Sequence, residues 1–301
     1  MRPFVSSLPG VTDHWLQPDW PAPPGVHALC TTREGGVSVP PWDTLNLGDH
    51  VGDSALAVYE NRGRLQAALR SRTPDARAVF LRQVHGSDVL ALDAATPQGL
   101  AADACLTATP GVACTIMVAD CLPVLLTERS GSVVAGAHAG WRGLAGTARG
   151  GGPGEGVLES VFAHFAQQVT AQAGAPAQLA QESLRDAQAW VAGQTLAWLG
   201  PCIGPAAFEV GEEVRAALCQ GRPEAARHFQ PGAQPGKYLA DLAGLARQRL
   251  QALGITAIYG NDSSERWCTV ANPSAFFSHR RDAGRDGSSG RFAACIWRDS
   301  V

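Results

Sequence analysis

The chain has 301 residues, of which 45% are hydrophobic and 17% are charged, and its formal net charge is -3. This composition is typical of a globular protein, excludes a disordered chain, and gives no strong field favouring nucleic acid or an anionic membrane. No apolar run is long enough to span a membrane and the first residues lack a signal-peptide pattern, so we expect a cytoplasmic protein.

The first predicted elements are a strand, a long loop and a helix. Residues 25–33 have a strand pattern, and residues 34–53 are rich in Gly, Pro and Asp. Loops of this length within a compact domain are usually functional or disordered. Residues 54–71 carry apolar side chains at helical spacing, with Asp53 as the expected N-cap.

The central part of the chain is dense in strands. Apolar runs predict strands at residues 78–85, 88–93, 112–129 and 132–141. The first two are expected to form a hairpin, with a tight turn at Gly86 and Ser87. Near-continuous apolar runs indicate strands buried on both faces. Pro123 should end its strand or lie at a sheet edge, which places Asp120 and Cys121 at a strand terminus.

The last half mixes helices and strands. Residues 147–193 contain a Gly-rich loop, an amphipathic helix and an Ala/Gln-rich stretch that we interpret as a helical insertion. The elements predicted after it are strand 195–200, helix 212–219, helix 237–253 ended by Gly254, strand 255–260, loop 276–291 and strand 292–297. No repeat or linker divides the chain. We therefore predict one domain over residues 1–301, with helices outside buried sheets.

The eight cysteines are interpreted as free thiols, because a large chain without a secretion signal rarely needs disulfides. No CxxC pair is present, so neither a zinc ribbon nor a thioredoxin motif is expected. Any metal site must therefore be assembled from residues that are distant in sequence.

Three metal-ligand residues, His85, Cys121 and His138, each lie near the end of a predicted strand. Two imidazoles and one thiolate would leave a fourth position open, as catalytic zinc requires, and copper accepts the same ligands. Asp120, beside Cys121, could orient a ligand through a hydrogen bond. The alternative for each is an ordinary buried thiol or a hydrogen-bonded histidine.

Loops near these residues carry arginines beside glycines or aromatic rings: Arg33 in "TTREGG", Arg142 in "GWRG", and Arg280 and Arg281 in "FFSHRRD". A guanidinium with close backbone approach suits a phosphate or carboxylate. The alternative for each arginine is a solvated surface charge.

Six stretches in order closely resemble one family: "TTREGGVSVPPWDTLNLGDHVGD", "LRQVHGSDV", "VADCLPVLL", "GAHAGWRGL", "LGPCIGPAAFEVGEEV" and "FFSHRRD…GRFAACIW". The chain resembles the YfiH family, also called the laccase-domain or multicopper polyphenol oxidoreductase family, over nearly its whole length. The resemblance implies an α+β fold, a single α/β/β/α layered domain with mixed sheets. It also implies a zinc site at the residues matching His85, Cys121 and His138.

The resemblance further implies purine nucleoside chemistry: phosphorolysis of adenosine, inosine, guanosine or S-methyl-5'-thioadenosine, and deamination of adenosine. The small-molecule partners would be a purine nucleoside and phosphate. Phosphate would be held by Arg33, Arg142, Arg280 or Arg281, and Asn46 would bond sugar or base. Asp120 is also expected among the substrate-binding residues. The segment between "GWRG" and "LGPCIGP" is longer than usual in the family, consistent with an insertion.

Three alternatives stay open at this point. The first is a metal-free hydrolase with Cys121 as nucleophile and His138 as base, acting on a peptidoglycan precursor. The second is a copper polyphenol oxidase, which we rank lowest because the chain has eight histidines and no HxH pair. The third is a binding module without turnover. The oligomeric state is not predicted.

Overall fold

The long apolar runs of the sequence form two β-sheets in the computed structural model, which describes residues 14–146, 155–172 and 184–300. The strands are β1 (Val26–Cys30), β2 (Arg77–Phe80), β3 (Val89–Ala91), β4 (Ala104–Thr107), β5 (Val112–Val118), β6 (Leu122–Glu128), β7 (Val134–Ala139), β8 (Thr195–Leu199), β9 (Glu209–Gly211), β10 (Phe229–Pro231), β11 (Lys237–Ala240), β12 (Ala257–Gly260) and β13 (Phe292–Arg298). The helices are α1 (Ala55–Arg70), α2 (Trp141–Ala145), α3 (Val157–Gln172), α4 (Leu184–Gln194), α5 (Glu212–Cys219), α6 (Leu242–Ala252) and α7 (His279–Asp286).

Both large sheets are mixed. The first has the order β1-β13-β5-β2, with β2 and β5 parallel and the other pairs antiparallel. The second has the order β12-β8-β6-β7-β4-β3, with parallel pairs at its two edges and antiparallel pairs at its centre. A third, small sheet joins β10, β11 and β9.

Three apolar cores define four layers. One lies between α1 and the first sheet, one between the two large sheets, and one between the second sheet and the helices that include α3 and α6. Because β5 and β6 are covered on both faces, all their residues are buried. This α/β/β/α arrangement confirms the predicted fold class. Within the described ranges, no helix has the length and apolar character needed to cross a membrane.

Two strand predictions are wrong in a way that matters for the site. The expected hairpin over 78–93 does not form, because β2 belongs to the first sheet and β3 to the second. The run 112–129 is likewise split into β5 and β6, with the break at 119–121. In both places the chain crosses from one sheet to the other, so the residues at the crossing meet at one end of the sandwich. Asp120 and Cys121 do lie at a strand end, as predicted.

The expectation for Pro123 is also wrong. It lies inside β6, which is a central strand with β8 on one side and β7 on the other. Proline is tolerated here because it is only the second residue of the strand. Its carbonyl still accepts a hydrogen bond from the Gly200 N–H at 2.9 Å.

Helix boundaries differ from the predictions at three places. Residues 237–253 divide into β11 and α6, since Asp241 caps α6 by accepting the Gly244 N–H. The predicted loop 276–291 contains α7, whose N-cap is Ser278. Helix α1 begins after Ser54 rather than Asp53.

The predicted insertion at 147–193 falls partly outside the described residues. Residues 147–154 and 173–183 are not described, and α3 and most of α4 lie in the remainder. All eight cysteines are free thiols, as expected.

Candidate metal centre and its cavity

The three predicted metal ligands converge at the end of the sandwich where the chain crosses between sheets. The ligand atoms of His85, Cys121 and His138 all lie within 4.8 Å of one another. The His85 Nε2 and Cys121 Sγ atoms are 3.8 Å apart. A tetrahedral zinc ion, with bonds of about 2.3 Å to sulfur and 2.0–2.1 Å to nitrogen, separates such ligands by about 3.6 Å. The group therefore fits a single metal ion.

The backbone around the group is unusual. His85 has a φ of 61° and Asp120 a φ of 88°, two of the three non-glycine residues with positive φ in the described chain. The left-handed region costs a non-glycine residue roughly 1–3 kcal/mol and persists only where surrounding contacts impose it. His85 is itself a candidate ligand and Asp120 precedes another, Cys121, so the surroundings that impose these angles also fix the ligands.

Asp103, just before β4, imposes the arrangement at His85. Its carboxylate accepts the backbone N–H groups of Val84, His85 and Gly86 at 3.1, 2.8 and 2.6 Å. The same carboxylate is 2.8 Å from the His138 ring at Nδ1. Because Nδ1 faces a carboxylate, Nε2 is left to bind a metal. One fully buried side chain thus orients both imidazoles.

Sequence reasoning missed Asp103, although a signal was present. "ADAC" places an acid immediately before a buried apolar strand, the same pattern that drew attention to Asp120 in "VADC". An acid in that position needs a partner, because an unpaired buried carboxylate is costly.

Asp120 does not orient a metal ligand, contrary to the prediction. Its carboxylate accepts hydrogen bonds from the Thr269 hydroxyl at 2.5 Å and from the backbone N–H of Arg280 at 2.6 Å. These contacts join the segment after β5 to the start of α7 and to the loop that contains Thr269. Asp120 also lines the cavity beside the three ligands.

The electrostatics favour a thiolate and a protonated imidazole when no metal is bound. Burial raises the pKa of Cys121, but His138 and His85 together lower it by more than burial raises it. The resulting pKa is about 6. Burial lowers the pKa of His138, but the Cys121 thiolate and Asp103 raise it to about 9. Burial raises the pKa of Asp103, but the hydrogen bond and charge of His138, together with the backbone N–H groups of Gly86 and Val84, lower it to below its usual value.

Gly140 is required by the closeness of the ligands. A Cβ at this position would lie 3.0 Å from both the Cys121 Sγ and the His85 Cδ2.

A cavity of about 420 Å³ opens in front of the three ligands, within the range of roughly 300–1,000 Å³ that holds small-molecule ligands. Its wall contains three arginines, Arg142, Arg280 and Arg291, against one carboxylate, Asp120. The remaining lining residues are His50, Gln83, His85, Met117, Val118, Ala119, Cys121, His138, Trp141, Ile203, Phe208 and His279. The wall is therefore suited to an anionic or strongly polar ligand.

Two of the predicted arginines lie in this wall. Arg142 stacks on Trp141, with its guanidinium carbon 4.5 Å from the ring centroid. Arg280 packs over Phe208 at 5.8 Å and donates to the carbonyls of Ala207 and Glu209.

Arg33 and Arg281 are not among the lining residues of this cavity, contrary to the expectation that they face substrate. Arg33 pairs with Asp43 at 3.1 Å and donates to two carbonyls. Arg281 pairs with Asp282 at 2.7 Å and donates hydrogen bonds to three backbone carbonyls. Guanidinium groups engaged in this way tie loops together and have few donors left for a ligand.

Asn46 is also absent from the lining and is fully buried. Its amide NH₂ donates to the Gly48 carbonyl and to Asp53, and its oxygen accepts from the N–H groups of Gly48 and Arg291. All of its polar atoms are occupied, so Asn46 supports the cavity from behind.

Comparisons with known proteins show which family the chain is similar to. The family described as multi-copper polyphenol oxidoreductase laccase matches residues 27–176 and 172–299. The purine nucleoside phosphorylase YfiH of Escherichia coli is 45% identical over 283 residues, covering 94% of this chain and 98% of that protein. A purine nucleoside phosphorylase of Pseudomonas aeruginosa has the same identity and coverage.

Among solved structures, the Neisseria meningitidis protein NMB0706, of the DUF152 family, superposes with a TM-score of 0.76 at 39% identity, covering 95% of this chain and all of that one. These matches span almost the whole chain, and the resemblance noted in the sequence is confirmed. The chain belongs to the YfiH family, the multi-copper polyphenol oxidoreductase laccase family of the sequence match.

Proposed function

We propose that this protein is a zinc-dependent purine nucleoside phosphorylase whose metal is held by His85, Cys121 and His138. The observation that carries the proposal is the convergence of three ligand atoms within 4.8 Å at the base of an arginine-lined cavity. Relatives covering 94% of the chain are named purine nucleoside phosphorylases, which supports the same activity. The substrates would be adenosine, inosine, guanosine and S-methyl-5'-thioadenosine.

The donor set fits zinc. Two imidazoles and a thiolate with a pKa of about 6 are ligands that are available at neutral pH. Copper binds the same ligands, but the described residues contain no second group of three His, Cys, Asp or Glu side chains that could build a multicopper cluster. When bound, zinc would supply a positive centre that polarises an oxygen of substrate or water.

The chain's own residues account for the rest of the reaction. In phosphorolysis a phosphate oxygen forms a bond to the anomeric carbon while the bond from that carbon to the base nitrogen breaks, and the base leaves with that electron pair and takes up a proton. Arginines of the wall would hold phosphate, and Trp141 and Phe208 offer aromatic faces to the base. Asp103 keeps the imidazoles in place throughout.

The test is an assay of purified protein with each nucleoside, with and without phosphate. The proposal expects free base and a ribose 1-phosphate only when phosphate is present, loss of both on chelation, and loss in Cys121→Ser. Metal analysis distinguishes zinc from copper. Conversion of adenosine to inosine without phosphate would reveal the additional deaminase activity that the resemblance implies. Base release independent of phosphate would contradict phosphorolysis.

A second candidate is supported by one specific contact. Cys121, His138 and Asp103 form a chain in which Asp103 and His138 are 2.8 Å apart and the thiol is acidic. This arrangement suits a metal-free hydrolase, acting for example on a peptidoglycan precursor. That enzyme would form a covalent adduct at Cys121 with an acylating substrate and would keep its activity in chelator, the opposite of the zinc enzyme.

A further inference from the structure

The cavity wall contains one arginine whose guanidinium is only partly used, and sequence reasoning did not single it out. Arg291, immediately before β13, lines the cavity together with Cys121 and Asp120. Its Nη1 donates to the carbonyls of Ser289 and Gly290 at 2.7 and 3.0 Å. No carboxylate of the described residues is within ion-pair distance of it, whereas Arg33 and Arg281 each have one.

The negative groups near Arg291 are committed elsewhere. Asp120 accepts hydrogen bonds from Thr269 and from the Arg280 N–H. The Cys121 sulfur faces the two imidazoles. Nε and Nη2 of Arg291 therefore keep donors for a ligand in the cavity. Burial lowers the pKa of Arg291, which reflects how far this cation is removed from water.

The backbone of Arg291 is held on both sides by the loop 46–48. Its N–H donates to the Asn46 Oδ1 at 2.8 Å, and its carbonyl accepts the Leu47 N–H at 2.9 Å. A Cβ on Gly48 would lie 2.8 Å from the Arg291 Cγ, so this loop packs against the stem of the side chain. The clamped guanidinium is preorganised, which reduces the entropy lost when a ligand binds.

We propose that Arg291 is the principal phosphate-binding residue of the cavity, with Asn46 as the residue that positions it. The ligand class is a phosphate dianion, which a planar guanidinium binds through two parallel hydrogen bonds. This inference rests on the proposed phosphorylase function for the identity of the anion. It assigns inorganic phosphate to the side of the cavity next to Cys121.

The remaining arginines of the wall are less suited to this role. Both Nη atoms of Arg280 donate to the carbonyl of Glu209. Arg142 is exposed and lies against Trp141 at the cavity rim. A partly buried cation attracts an anion more strongly than an exposed one, because less solvent screens the pair.

The test compares Arg291→Gln and Arg291→Lys with Arg129→Gln. Arg129 is an exposed arginine following β6, at the end opposite to Cys121. Arg291→Gln should raise the KM for phosphate about 10- to 100-fold, the loss typical of a charge-assisted hydrogen bond, while the KM for nucleoside changes less than about threefold. Arg291→Lys should show a smaller rise in the phosphate KM, and Arg129→Gln none.

Direct binding separates this inference from the proposed function. Inorganic phosphate is titrated into wild-type protein and each variant by calorimetry, with thermal unfolding as the check on folding. Saturable binding in wild type that is lost in Arg291→Gln supports the inference even if no nucleoside is cleaved, in which case the proposed function alone fails. Equal phosphate binding in wild type and a folded Arg291→Gln variant overturns it. Binding of 5'-AMP but not of free phosphate would also overturn it, since the anion would then be part of a nucleotide.

Discussion

The two ends of the β6–β7 hairpin are each organised by one buried carboxylate, and only one of these carboxylates contacts a candidate metal ligand. At the turn, the Glu128 carboxylate accepts the backbone N–H groups of Ser130, Ser132 and Val133. At the other end, Asp103 accepts three consecutive N–H groups from residues 84–86. The difference is the fourth partner, which is a serine hydroxyl for Glu128 and the His138 ring for Asp103.

This difference shows how an ordinary structural device becomes part of a site. A carboxylate that satisfies buried N–H groups stabilises any turn, because unsatisfied donors are costly. Only when the same carboxylate also binds a titratable ring does it affect proton affinity and metal ligation. Substituting both acids in the same way separates the two contributions.

The largest effect is expected from Asp103→Asn. The new NH₂ group would face backbone donors or the His138 ring, so we expect the free energy of unfolding to fall by about 3 kcal/mol. Zinc affinity should fall about 10- to 100-fold, because both imidazoles lose their orientation. Urea unfolding and a zinc titration against a competing chelator measure the two quantities.

Glu128→Gln is the matched control for this variant. It should lower the free energy of unfolding by about 2 kcal/mol and leave zinc affinity within about twofold of wild type. If both variants weakened zinc binding equally, the loss would come from general destabilisation and Asp103 would have no separate role at the metal centre.

The glycines at the two ends sharpen the comparison. Gly140→Ala is compatible with the backbone, since φ at Gly140 is -73°, but its Cβ would press on Cys121 and His85 at 3.0 Å. Gly131→Ala, in the turn, combines a φ of 71° with a Cβ only 2.9 Å from Val26. We expect Gly140→Ala to weaken zinc binding roughly tenfold with less than about 1 kcal/mol of destabilisation.

Gly131→Ala should show the reverse, about 1–2 kcal/mol of destabilisation with unchanged zinc affinity. The same unfolding and titration measurements apply to both variants. A large loss of stability in Gly140→Ala without a change in zinc affinity would mean that the ligands move apart without cost to the metal centre.

The sequence was sufficient to predict the four-layer class and the group His85, Cys121 and His138, but not the details of the wall. The residue pattern made His85, Cys121 and His138 candidates and left a buried thiol and hydrogen-bonded histidines as alternatives. The family resemblance implied the four-layer class and the zinc site. Whether a guanidinium is free depends on partners distant in sequence, such as the Pro273 carbonyl for Arg33. Such contacts leave no local pattern.

The strand errors have a related cause. Apolar periodicity identifies a strand but does not tell which sheet it joins. Residues 112–129 form one apolar run, yet the chain changes sheet at Asp120, which has a left-handed backbone and a carboxylate bonded to Thr269 and to the Arg280 backbone N–H. The crossing that creates the site was therefore hidden within a continuous apolar run.

The last prediction concerns the pH dependence of Cys121 in metal-free protein. Its pKa of about 6 means that the thiolate is present at neutral pH and is lost as the pH falls through about 6. The rate of alkylation by iodoacetamide should therefore rise from pH 5 and level off above about pH 7, rather than near the value of about 8.5 for a free thiol. Peptide mass spectrometry would assign the modification to Cys121, because burial raises the pKa of Cys30, Cys114, Cys202 and Cys295.

The two carboxylate variants complete this experiment. In Asp103→Asn the His138 imidazolium loses a supporting charge, so the pKa of His138 falls and that of Cys121 rises, shifting the alkylation profile to higher pH. In Glu128→Gln the profile should coincide with wild type, since the Glu128 carboxylate bonds to Ser130, Ser132 and Val133 of its own turn, at the far end of the hairpin from Cys121. An unshifted profile in Asp103→Asn would show that the Asp103 charge does not influence the thiolate, and the chain from Asp103 through His138 to Cys121 would have no electrostatic role.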